Sequence, residues 1–111
     1  MSLDRYQQFK QRLERLDSDL DMAVPSIVQQ IAQLQQWFQV QILKDSIESS
    51  NSLAQSYITE MHKQLRLLAT DAAFLQAARQ ETTRRQRRQE IHDRLSRVCR
   101  YCDALSDNSG R

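Results

Sequence analysis

The sequence predicts an all-α protein, an antiparallel up-down four-helix bundle with a long third helix, in one domain spanning 1–111. Three observations predict it. The only glycine in 111 residues is Gly110 and the only proline is Pro25, so the positive-φ positions of hairpin turns and phosphate-cradling loops lack their usual residue. Glutamine, leucine, arginine and alanine are abundant, and all four keep most of their side-chain freedom in a helix. Apolar residues recur at steps of three and four in four separate stretches, joined by connections short enough to favour antiparallel neighbours.

The first stretch places Tyr6, Phe9, Leu13, Leu16, Leu20 and Ala23 on one stripe, for a helix over about 3–20 that ends in the acidic run Asp17 to Asp21 before Pro25. Ser26 followed by Gln29 reads as a capping box. Behind it Ile27, Ile31, Leu34, Phe38 and Ile42 carry a second helix over 25–44, whose many glutamines interleave with the stripe as a solvated face. The polar run Glu48 to Ser52 offers several N-cap oxygens, which puts the second connection at about 45–51.

Ala54, Ile58, Met61, Leu65, Leu68, Ala72 and Leu75 give the most regular stripe and a third helix over 52–79, roughly 40 Å long at 1.5 Å per residue. Thr83 and Gln86 read as another capping box, opening a fourth helix over 83–105 that carries Ile91, Leu95, Val98, Cys102 and Leu105. Residues 106–111 are expected to fray. A three-helix core with one displaced helix is the alternative packing.

No apolar run approaches the roughly 20 residues that span a bilayer, and the first residues lack the order of a signal peptide, so a cytoplasmic protein with reduced thiols is expected. Cys99 and Cys102 have the spacing of redox and zinc sites. Zinc needs further ligands that His62 and His92, on different helices, do not complete, and a thiolate is disfavoured late in a helix. The cysteines are therefore read as small core residues. No histidine or carboxylate pairing marks a catalytic or di-iron site, so neither enzyme activity nor a cofactor or metal is expected.

The net charge is +2, unevenly spread: residues 1–58 hold five Lys/Arg against seven Asp/Glu, and residues 59–111 hold eleven against seven. The anomaly is Arg84, Arg85, Arg87 and Arg88, with Arg79 upstream. Glu81, Glu90 and Asp93 stand four residues before Arg85, Arg94 and Arg97, whereas Arg79, Arg84, Arg87 and Arg88 have no such acid. Three readings stay open for the cluster: pairing with Asp17, Asp19 and Asp21 at the same end of the bundle, docking of an acidic protein partner, or binding of nucleic acid. Leu53, Tyr57, Leu67, Phe74 and Ala78 flank the third stripe, and Trp37 and Val40 lie off the second. They either serve a central third helix or form a patch that pairs subunits or receives a partner helix.

The run from His62 to Gln80, together with Arg94-Leu95 and Arg100-Tyr101-Cys102-Asp103-Ala104-Leu105, resembles the cyanobacterial heterocyst frequency control protein PatD family over roughly the C-terminal half of the chain. The resemblance implies a small non-enzymatic regulator that influences how often cells differentiate and is linked to the tubulin-like division protein FtsZ. The expected partner surface is Arg79, Arg84, Arg85, Arg87 and Arg88 with Leu67 and Phe74. Nucleic acid is the alternative partner, homo-oligomer formation stays open, and no membrane insertion is expected.

Overall fold

The computed structural model describes residues 4–44 and 51–109, the last two of these by backbone alone. Helix α1, Arg5–Ser18, opens on Asp4, whose carboxylate accepts the backbone N–H of Gln7 at 2.9 Å. Helix α2, Val24–Phe38, runs on through a π-helical turn, Gln39–Leu43. Helix α3, Ser52–Ala77, is capped by Asn51, which accepts the N–H groups of Leu53 and Ala54 at 3.1 Å each. Helix α4, Glu81–Ser109, is the longest at 29 residues, against 26 in α3.

Both expected capping boxes are overturned. Pro25 has its φ preset for a first helical turn and no N–H to satisfy, so α2 starts before Ser26, with Ala23 at its N-cap. Ser26 sits inside that turn and accepts the side chain of Gln30 at 3.4 Å. Helix α4 likewise starts two residues before Thr83, where the backbone N–H of Arg84 reaches the carbonyl of Gln80 at 3.0 Å and Glu81 meets the positive end of the helix dipole. Helix α3 stops at Ala77 because Ala78 is extended, at φ −68° and ψ 133°, so the break falls at 78–80.

The expected fraying from 106 onward is corrected too. Helix α4 continues through Ser109, held against α1 where the Ser106 hydroxyl donates to Asp4 and Lys10 donates to Asp103 at 2.9 Å. Residues 110–111, and 45–50 of the second connection, lie outside the described residues.

The four helices form a closed antiparallel ring. Gln35 of α2 donates to the Leu65 carbonyl of α3, Arg94 of α4 to Asp71 of α3, and His92 of α4 meets Asp17 of α1. Across the diagonals, α1 with α3 and α2 with α4, no Cα atoms come within 8 Å among the described residues. A three-helix core is thereby excluded. The axis of the stripes is one continuous core in which Phe9, Leu13, Ile27, Phe38, Met61, Leu68, Leu75, Ile91 and Val98 are fully buried. Each such side chain contributes about 1.5–3 kcal/mol through removal from water.

Three stripe ends depart from this. Tyr6 and Ala54 are half-buried, and Ala23 is exposed in the first connection. Trp37 is not part of an outer patch: its ring stacks on Phe9 with centroids 5.5 Å apart, and the Arg12 guanidinium lies 4.9 Å from its centroid. At the π turn, where hydrogen bonding loosens to i→i+5, the Gln41 carbonyl accepts Arg5 at 3.0 Å.

Candidate functional site

Helix α3 carries a second pattern one residue out of phase with its core stripe. Leu53, Glu60, Leu67 and Phe74 recur every seven residues along its outer surface, and Tyr57, Gln64 and Asp71 recur every seven on the flank turned to α4. Opposite that flank α4 presents Arg87, Arg94 and Tyr101, again seven apart. Heptad spacing keeps a row of side chains on one seam of a helix.

The flank row is a polar network between the two helices. Arg94 Nε donates to Asp71 Oδ2 at 2.7 Å, and an Arg94 terminal nitrogen donates to Gln64 Oε1 at 2.6 Å. Gln64 in turn donates to Glu60 at 3.1 Å, and Lys63 pairs with Glu60 at 3.7 Å. Gln64 and Asp71 are 4% and 6% exposed, which makes the Arg94 donors obligatory partners. Tyr57 and Tyr101 close the far end with ring centroids 5.8 Å apart.

The outer row stays uncovered. Leu53, Leu67 and Phe74 are 54%, 37% and 50% exposed, so the reading of α3 as touching two neighbours accounts for Tyr57 but not for these three. Above Phe74 the Arg87 guanidinium lies 4.7 Å from the ring centroid, steered by a 3.0 Å bond to Glu90.

The arginine cluster does not form one surface. At 100° per residue Arg85 and Arg87 point roughly 160° apart around α4. Arg87 joins Phe74 on the α3 side, while Arg85 and Arg88 line a groove of about 260 Å³ on the α1 side with Asp17, Asp21 and His92. Arg88 Nε donates to the Leu20 carbonyl at 2.9 Å, which secures the first connection. Glu81 serves Arg84 at 3.6 Å and Arg88 at 4.0 Å. Arg79 is exposed just past α3, and neither it nor Arg85 makes an ion pair within 4.0 Å among the described residues.

All three i,i+4 pairs expected from sequence are replaced. Glu81 turns from Arg85 to Arg84 and Arg88, Arg94 turns from Glu90 to Asp71, and Asp93 accepts Gln89 at 3.0 Å. An exposed i,i+4 pair is worth only about 0.2–0.5 kcal/mol, too little to hold Arg94 from a desolvated carboxylate. The signal that could have found Asp71 and Gln64 was their seven-residue spacing beside the core stripe.

On the α1 side His92 Nδ1 lies 2.6 Å from Asp17 Oδ1, and that hydrogen bond, with the charge of Asp17, raises the imidazole pKa above 6.5. His62 stacks on Phe38 at 6.1 Å. Burial pushes the Cys99 thiol up to about 11 and raises Cys102 as well, so both stay protonated near neutrality. Among the described residues no three His, Cys, Asp or Glu side chains converge to hold a metal ion, and no helix is long and apolar enough to cross a membrane.

No protein-family model, curated protein or solved structure matches this chain.

Proposed function

We propose that this chain is a non-enzymatic regulatory module that binds another protein through the outer face of α3 and the adjoining edge of α4. Phe74 carries the reading: a large aromatic ring, 50% exposed, held under the Arg87 guanidinium at 4.7 Å, with Leu67 two helical turns away on the same row. Aromatic and arginine side chains concentrate binding energy at protein interfaces. The resemblance of residues 62–80, 94–95 and 100–105 to the PatD family supports a regulator of heterocyst frequency, acting in the cyanobacterial cytoplasm on FtsZ. Of the expected surface, Leu67, Phe74 and Arg87 form the centre. Arg79 lies beyond the end of α3, Arg84 pairs with Glu81 on its own helix, and Arg85 and Arg88 lie on the α1 side.

The test is binding of the purified chain to FtsZ from a heterocyst-forming cyanobacterium, followed by interferometry. Phe74→Ala is expected to weaken binding by about 10–30-fold, the range of an interface anchor, while Val40→Ala on the π turn leaves it unchanged. Equal affinity of both variants with wild type removes this face. Absence of binding by the wild type removes FtsZ as the partner.

A further inference from the structure

The outer row of α3 is built on the repeat that one helix uses to receive another. Leu53, Glu60, Leu67 and Phe74 are spaced by seven residues, about 10.5 Å of rise each, and three of the four are exposed apolar side chains. The polar network behind the row fixes α3 and α4 as a rigid pair. Asp71 and Gln64 are locked by Arg94, and Arg87 is held between Glu90 and Phe74, so the lane between the helices has a set shape before any partner arrives.

The charges along this lane select its occupant. Its carboxylates are engaged, Glu60 by Lys63, Asp71 by Arg94 and Glu90 by Arg87, while Asp93, one turn before Arg97 and farther round α4, accepts Gln89. Two exposed cations are left without an ion pair within 4.0 Å among the described residues, Arg66 on the margin away from α4 and Arg97 on the α4 margin. Both margins of the apolar row are therefore positive. A second copy offering the same face across a two-fold axis would set like charges against each other, whereas a helix with acidic flanks would meet both.

We infer that the outer lane of α3 and α4 receives an amphipathic helix of another protein, with apolar residues at heptad spacing over Leu67 and Phe74 and carboxylates facing Arg66 and Arg97. This inference rests on the protein-binding reading above and adds the chemistry of the partner segment.

The experiment replaces Leu67 with the photo-crosslinking residue p-benzoylphenylalanine in the full chain, and separately Gln33 on the exposed side of α2. The crosslinked peptide formed in the native host is then mapped by mass spectrometry. The expected product at position 67 is a peptide with heptad-spaced apolar residues and flanking Asp or Glu. Its yield falls about tenfold when Arg66→Glu and Arg97→Glu are added, as for two ion pairs lost across an interface. Both arginines are exposed, so circular dichroism is expected to show an unchanged fold. A self-crosslink, a neutral or basic peptide, no product at position 67, or an unchanged yield in the charge variant each overturn the inference. An acidic helix from a protein other than FtsZ keeps the inference and removes the FtsZ assignment. FtsZ captured through position 33 and not 67 does the reverse.

Discussion

Arg94 reaches across the α3–α4 seam to Asp71, its Nε 2.7 Å from a carboxylate whose side chain is 9% exposed. Removing one member of such a pair leaves a desolvated charge without its donor. Arg94→Leu is expected to cost about 3 kcal/mol, because it orphans Gln64 Oε1 together with Asp71. The double replacement Asp71→Leu/Arg94→Leu should recover most of that loss, since no unpaired charge remains. Urea titrations of the two single variants and the double close the cycle, and strictly additive losses would show that the two side chains act independently.

The link between His92 and Asp17 predicts a pH dependence with a definite sign. The folded protein holds the imidazole pKa above its ordinary 6.5, first through the Asp17 hydrogen bond and then through the charges of Asp17 and Asp93. The native state therefore binds the proton more tightly than the unfolded chain. Its contribution is complete below 6.5 and disappears as pH rises through the raised native value. The urea midpoint of wild type should fall from roughly pH 6 to pH 8 relative to that of His92→Gln, by an amount that shrinks in high salt. A histidine resonance titrating at or below 6.5 in the folded protein contradicts this.

Thiol reactivity follows from burial. Cys99 stands near 11 against an ordinary 9.0, so at neutral pH its thiolate fraction is about a hundredfold below that of a solvated cysteine. Cys102 is fully buried and lies higher still. Alkylation at pH 7.5 is expected to be about a hundredfold slower at Cys99 in the folded protein than in urea, and slower still at Cys102. Rapid labelling of the folded chain at Cys99 would restore a chemical role to the pair.

Asn51 caps α3, accepting two N–H groups with one oxygen. Asn51→Ala should lower stability by about 1 kcal/mol and the melting temperature by about 4 °C, while Asn51→Asp, which keeps the acceptor, should be nearly silent. A loss of the same size in both variants would mean that the cap contributes nothing beyond local packing.

The sequence by itself determined the class, the number and order of the helices, and nearly every core side chain. From Phe9 to Leu105 the apolar steps of three and four name the residues that are buried, because a core stripe obeys one local rule, the turn of the helix itself. Helix ends were less legible: at Ser26 and Thr83 a capping pattern competed with Pro25 and Glu81, each of which suits a first turn and starts the helix earlier.

The candidate face was legible in its parts and not in its assembly. Leu67, Phe74 and Arg87 stood out singly and helical periodicity alone parts Arg85 from Arg87, but only packing brought Arg87 over Phe74 and set Arg85 beside α1. Only the tertiary structure decided the partner of Arg94, since neighbours along one helix are written in the sequence and neighbours across a bundle are not. A weak exposed pair yields to a buried carboxylate wherever the fold brings one within reach, and it is the packing of α3 on α4 that buries Asp71.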